Sequence, residues 1–384
     1  MPSTSAADDR SSSINGTEQW RRAREYLNDH RFDLTGQILT KAAPEHLVPE
    51  TPLLARPYWI PEQPVPLERI RLRWQPDAPD ALLDGSESEL DHIRPRREDG
   101  TPYLYYADAV RELARPRLFE NRSCYRLLNV DGLTLTFGRG QYFDVINICE
   151  AAAHEYASFV LGEATDTPFR AAVGDPTDLA RRPVMAATST LVIRHERRTG
   201  DAEFVLHWRD PAKVASGGGL YQVMPVGMFQ ASHDAPWNEA NDFDLWRSIL
   251  RELSEELLGA TEDYGSDKAP IDYASWPFAQ KLSTARESGS LRMYWLGLGM
   301  DPLTYVTDML TVAVFDSELF DETFQRIVSS NDEGRRVGLE DATGSSTGIP
   351  FTAVQVDRLT TTEPMQPAGA ALLRLAWRHR DVLL

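Results

Sequence analysis

From residue 242 to 258 the chain carries apolar and polar side chains with the period of an α-helix. Trp246, Ile249, Leu250, Leu253 and Leu257 fall on one arc. Glu252, Glu255 and Glu256 gather beside it within roughly 100° of arc. This predicts a single amphipathic helix over 242–258, with Asp242 as the N-cap that accepts from the free amides of the first turn. Upstream, 189–194 and 203–209 are strand-like runs on either side of Arg198-Thr199-Gly200. The run 221–224 is an apolar strand that enters a turn at Pro225 and Gly227. Downstream, 291–300 and 309–315 read as strands, 317–328 as a helix, and 329–349 as a polar loop. A strand at 351–356 and a helix over 368–383 close the chain.

The first 185 residues carry a weaker pattern. A helix is expected over 18–29, and 75–100 is polar and rich in Pro and Asp, the composition of loops. A helix over 103–113 follows, then strands at 124–130 and 133–137 joined by the hairpin signal Asn129-Val130-Asp131-Gly132. A second helix is expected over 143–161. The expected organisation is a disordered leader over 1–17, an α+β domain of unknown role over 18–185, and a second domain over 186–384. The fold class is α/β (α+β), with a sheet between helices in the second domain.

Composition narrows the partners. A chain of 384 residues that is 42% hydrophobic has ample material for a core. A formal charge of −18 disfavours nucleic acid and anionic membranes, which both attract positive fields. The apolar runs, such as 294–300, are far shorter than a membrane span. Cys124 and Cys149 are too few for a disulfide scaffold and sit in apolar stretches, so a cytoplasmic protein with reduced core thiols is expected. Glu150 and His154 lie one turn apart with metal-ligand spacing. They lack the second histidine of a zinc-protease motif and read as structural.

Three carboxylates at i, i+3 and i+4 repel one another on an isolated helix. Either they form a solvated acidic face or a cation lies between them, and hard oxygen ligands suit Mg²⁺ or Mn²⁺. The order of elements bears on that choice. A hairpin, a strand, a Pro-Gly turn and then a helix carrying Arg251-Glu252-Leu253-Ser254-Glu255-Glu256 resembles the Nudix hydrolase superfamily, over residues 186–384. Two departures stand beside the resemblance. Leu258 occupies the box's glycine position with Gly259 one place late, and residues 230–239 are inserted before the helix, leaving Phe243 where the box has a glutamate.

The resemblance implies a Nudix-like α/β/α sandwich with a mixed sheet. It also implies a pyrophosphohydrolase that cleaves the diphosphate linkage of a nucleoside-diphosphate derivative by water attack at phosphorus. Glu252, Glu255 and Glu256 would hold Mg²⁺ or Mn²⁺, and Glu255 or Glu256 would take the water proton. Arg251 would pair with a box glutamate, and Gly227 would let the backbone approach the phosphates or metal. The alternative is a non-catalytic Nudix-fold protein that senses a nucleotide or another diphosphate-containing small molecule. A homodimer is an expectation from fold analogy alone. Tyr221, Phe229 and Trp237 are candidates for stacking on a base, against ordinary packing. Glu333, Glu340 and Asp341 are candidate extra ligands, against a solvated loop.

Overall fold

The computed structural model describes residues 5–117, 119–209, 218–324, 334–337, 339–340 and 346–384. Among them the strands expected in the second half come together in one mixed sheet. Its order is Val65–Pro66, Leu291–Met300, Thr307–Asp316, Ala186–Glu196, Asp201–Phe204 and Ile349–Pro350, with Val226–Met228 also paired to Ala186–Glu196. Only Thr307–Asp316 and Ala186–Glu196 run parallel; the other pairs are antiparallel. A parallel pair needs a long crossover, and this one contains the glutamate helix. Both central strands are buried almost continuously along their length, the pattern of a sheet covered on both faces. The Leu245–Leu258 helix packs on Ala186–Glu196 and Val226–Met228. The Pro367–Arg378 helix crosses Leu291–Met300, Thr307–Asp316 and Ala186–Glu196.

A smaller sheet, Arg71–Trp74, Thr134–Gln141 and Ser123–Asp131, contains the expected hairpin. Its aromatic face meets the second half directly: Tyr125 and Phe137 pack on Phe229 and Phe243. Tyr125 N also donates to Phe229 O at 3.1 Å and Leu127 N to Val184 O at 2.7 Å. One hydrophobic cluster therefore contains residues from both sides of position 185, and Val65–Pro66 adds an edge strand to the large sheet.

Several elements differ from the expectation. The first helix is Ser5–Leu39, kinked at His30, so residues 5–17 are helical where disorder was expected. Buried Trp20, Leu27 and Leu34 anchor it, and the helix continues upstream through Ser, Ala, Asp and Arg without a Pro to stop it. The run 203–209 is not one strand. Asp201–Phe204 belongs to the large sheet, while Leu206–Arg209 pairs with Tyr221–Val223 and Gly334–Val337 in another. Phe204, Val205 and Leu206 form one continuous apolar run, all buried, so the change of sheet leaves no mark in the pattern. Residues 351–356 are not a strand. Thr352 caps a helix, Ala353–Thr362, its hydroxyl accepting from Gln355 N at 3.4 Å. The helix expected over 317–328 is Ser317–Thr323, and 325–328 lie outside the described residues. The described parts of 329–349 include the short strands Gly334–Val337, Leu339–Glu340 and Ser346–Thr347.

Candidate functional site

The amphipathic helix forms as Leu245–Leu258. Asp244, not Asp242, is its N-cap, accepting from Arg247 N at 2.9 Å; such a cap contributes about 1 kcal/mol. Gly259 closes the helix in the left-handed conformation at φ 69°, its amide donating to Glu255 O at 3.1 Å. The late glycine is thus the residue that ends the helix.

Asp242 does something larger. It is fully buried and accepts from Ser232 N at 2.8 Å, Ser232 Oγ at 2.6 Å, Tyr273 Oη at 2.8 Å and Asn241 Nδ2 at 3.1 Å. Arg251 lies 3.7 Å away and donates to Tyr273 Oη at 2.6 Å and Gln230 O at 2.7 Å. The expected pairing of Arg251 with a box glutamate is therefore replaced. Its guanidinium holds together the inserted segment, Asp242 and the Tyr273 loop, and the Glu252 charge acts on it more weakly. Burial opposes that charge, but Tyr273 and Asp242 outweigh it and hold the Arg251 pKa above its ordinary value.

Glu255 and Glu256 take different hydrogen-bond partners. Glu256 is buried, and its Oε1 accepts from Val226 N at 2.9 Å. Glu255 Oε1 accepts from Tyr264 Oη at 2.7 Å. Burial raises the Glu255 pKa, Glu262 adds to the rise, and Tyr264, Arg251 and Arg122 counter it. Glu252 lies against Gly227: a Cβ placed there would come within 1.9 Å of its Oε1. Gly227 thus admits a carboxylate, and any larger residue would displace Glu252.

Glu252, Glu255, Arg251 and Gly227 line a cleft of about 290 Å³; Glu256 does not. Its walls come from the length of the chain. The first helix supplies Arg31 and Thr35, the strand Val226–Met228 its edge, and the turn and strand at 301–308 contribute Asp301 and Asp308. Four arginines and six Asp or Glu residues line it, so its carboxylates outnumber its cations. Of the arginines, Arg122 is best placed to exchange partners. It donates to Ser232 O at 2.7 Å and to the exposed Glu262 at 3.0 Å, the kind of surface pair that contributes little.

Whether the glutamates fit a metal is decided by their donors. A divalent ion of this class takes several converging oxygens. Here one oxygen of Glu256 is committed to an amide and one of Glu255 to a phenol, and Glu256 stands outside the cleft wall. Among the described residues no three His, Cys, Asp or Glu side chains come together in a metal-holding group. The set Glu252, Glu255 and Glu256 does not fit a shared ion in this arrangement.

Of the stacking candidates, Phe229 is fully buried among aromatic rings, and Trp237 is half-exposed with Nε1 donating to Ser266 O at 3.0 Å. Neither, nor Tyr221, lines the cleft. Glu333 and Asp341 lie outside the described residues, as does the side chain of Glu340. Glu150 and His154 are both buried. Arg139 sits on the strand Thr134–Gln141 and pairs with Glu239 at 2.6 Å. Cys124 and Cys149 are free and buried, and burial pushes both thiols up to about 12.

The sequence reading missed Tyr264, Arg122 and Asp308. Asp308 is buried in the central strand at the cleft wall and accepts from Ser189 Oγ at 2.7 Å. Burial pushes its pKa up to about 7; Asp301 adds to the rise, while Ser189 and Arg209 oppose it. A lone Asp among Thr307, Met309 and Leu310 carries no motif, and only the charge in an apolar strand could have marked it.

Compared with known proteins, the chain matches no protein-family model and no curated protein.

Proposed function

We propose that the chain is a ligand-binding protein on a Nudix-like α/β/α sandwich, sensing a nucleotide or another diphosphate-containing small molecule without hydrolysing it. The observation that carries this reading is that Glu256 is held by the Val226 amide outside the cleft wall and Glu255 by Tyr264, while Glu252 packs against Gly227. A cleft built from both halves of the chain and lined by Arg122 supplies the binding surface. The two buried free thiols fit a reducing, cytoplasmic setting. Among the described residues no helix is long and apolar enough to cross a membrane.

A second reading, metal-dependent hydrolysis of a nucleoside-diphosphate derivative, is supported by one observation: Glu252 and Glu255 both reach the cleft. It requires Glu256 to turn into the cleft wall that Glu252 and Glu255 already line. The two readings separate in a panel of nucleoside-diphosphate derivatives with Mg²⁺ or Mn²⁺, followed by calorimetry and by mononucleotide release. The proposal expects at least one member to bind without turnover, and Arg122→Ala to weaken that binding about tenfold through the lost charge-assisted contact. Metal-dependent release abolished by Glu255→Gln would establish the hydrolase instead. Binding by no member would overturn the ligand class.

A further inference from the structure

The cleft has a second polar region that the glutamate helix does not reach. Across three strands the register runs Asp308, Ala187, Met228, so Asp308 sits two strands in from the edge strand that carries Gly227. Asp308 is 6% exposed, and of its two oxygens only Oδ1 is engaged, by Ser189. Oδ2 takes no hydrogen bond from any described residue and is left to the cleft. Beside it lies Asp301, also buried, whose oxygens accept from Leu303 N at 2.8 Å and Thr304 Oγ1 at 2.8 Å. Gln222, Gln366, Arg31 and Arg209 also line the cleft.

Two buried carboxylates with one unengaged oxygen make an acceptor-rich surface. Such a surface repels phosphate and selects a donor. A metal ion would need more converging ligands than this pair offers. An amidinium or ammonium satisfies the arrangement, because it brings positive charge and N–H donors to an oxygen already desolvated.

We propose that Asp308, held by Ser189 and flanked by Asp301, forms a subsite for a cationic nitrogen group, an ammonium or amidinium, on the ligand of this cleft. The inference rests on the reading of the cleft as a ligand site and specifies a part of the ligand that the phosphate end does not. The charges acting on Asp308 are Asp301, which disfavours its ionisation, and Arg209, which favours it. Arg31 acts on Asp301, and the cleft-lining residues 365–368 add no titratable group. Burial pushes the Asp308 pKa up to about 7, so a group there gains about tenfold in ionised fraction between pH 6 and pH 8, and affinity for a cation rises with it.

The test uses benzamidine and its neutral isostere benzamide as probes of the full chain, by calorimetry at pH 6 and pH 8. Wild type is compared with Asp308→Asn and Ser189→Ala, and circular dichroism confirms that each variant is folded. Benzamidine is expected to bind at least about tenfold more tightly than benzamide at pH 8 and about tenfold more tightly at pH 8 than at pH 6. Asp308→Asn should remove both differences, and Ser189→Ala, which keeps the carboxylate, should preserve the preference for the cation. Equal benzamidine affinity in wild type and Asp308→Asn overturns the subsite, as does no preference for the cation or no binding of either probe. Neither probe carries phosphate, so failure here leaves the nucleotide panel's result standing, and failure of the panel leaves this one interpretable.

Discussion

Asp242→Ala is expected to destabilise the protein by about 3–5 kcal/mol, the cost of leaving a buried charge without its partner. The substitution strands the Arg251 guanidinium, which is 4% exposed. It also removes the acceptor for Ser232 N, Ser232 Oγ, Tyr273 Oη and Asn241 Nδ2. Set against a typical total of about 5–15 kcal/mol, this is a large share. Urea unfolding at neutral pH gives the measurement. Tyr273→Phe, which removes one hydroxyl and keeps the ring, should cost only about 1–2 kcal/mol. Arg139→Ala breaks an exposed pair with Glu239 and should leave the midpoint nearly unchanged. A small effect of Asp242→Ala would mean that Asp242 is dispensable and that the inserted segment 230–239 is held by something else. Because Arg251 also lines the cleft, the same variant should weaken ligand binding in whatever fraction remains folded.

The second large effect is expected at Glu150, in the first half of the chain. Its carboxylate accepts from Arg31 at 2.7 and 3.1 Å and from Arg24 at 3.4 Å, and all three side chains are buried. The cluster extends through Tyr106 Oη, which receives from Arg24 at 3.1 Å and lies 2.9 Å from His154 Nδ1. Burial brings the His154 pKa down to about 3, with Arg24 adding to the shift, so the ring is neutral at ordinary pH. Glu150→Ala leaves two guanidiniums buried without their carboxylate, again at a cost of about 3–5 kcal/mol. The loss should fall on the docking of the Ser5–Leu39 helix, whose Arg31 and Thr35 line the cleft. Limited proteolysis should therefore cut the first forty residues of the variant faster than those of wild type, in step with the drop in urea midpoint. Equal cleavage rates would show that the helix is held by its apolar face alone.

The parts of the fold legible in the sequence are those where one face is apolar and the other is not. The glutamate helix, the hairpin around Asp131-Gly132 and the strands near 190, 295 and 312 all announce themselves through side-chain period. What stayed hidden depends on partners distant along the chain. Asp242 and Asp244 are equally good caps by local logic. Only the approach of Ser232, Tyr273 and Arg251 gives Asp242 its buried role, leaving Asp244 at the helix start. Arg24 and Arg31 lie 126 and 119 residues from Glu150, and nothing in either stretch points to the other. The three glutamates share one edge of a helix, yet spacing cannot say whether a cation or three different neighbours satisfies them. The structure gives them Val226 N, Tyr264 and the space beside Gly227. Thr352 misled in the opposite sense: aromatic and β-branched neighbours suggest a strand, while its hydroxyl starts a helix.

The most direct test of the account is a Mn²⁺ titration of the full chain, followed by the loss of the free-ion electron paramagnetic resonance signal. Glutamates that do not converge on one point should give no saturable site tighter than about 1 mM, the weak end of carboxylate cation sites. They should give the same curve for wild type, Glu252→Gln and Glu255→Gln. A stoichiometric site of micromolar affinity in wild type, lost in either variant, would contradict the account and return Glu252, Glu255 and Glu256 to a metal centre.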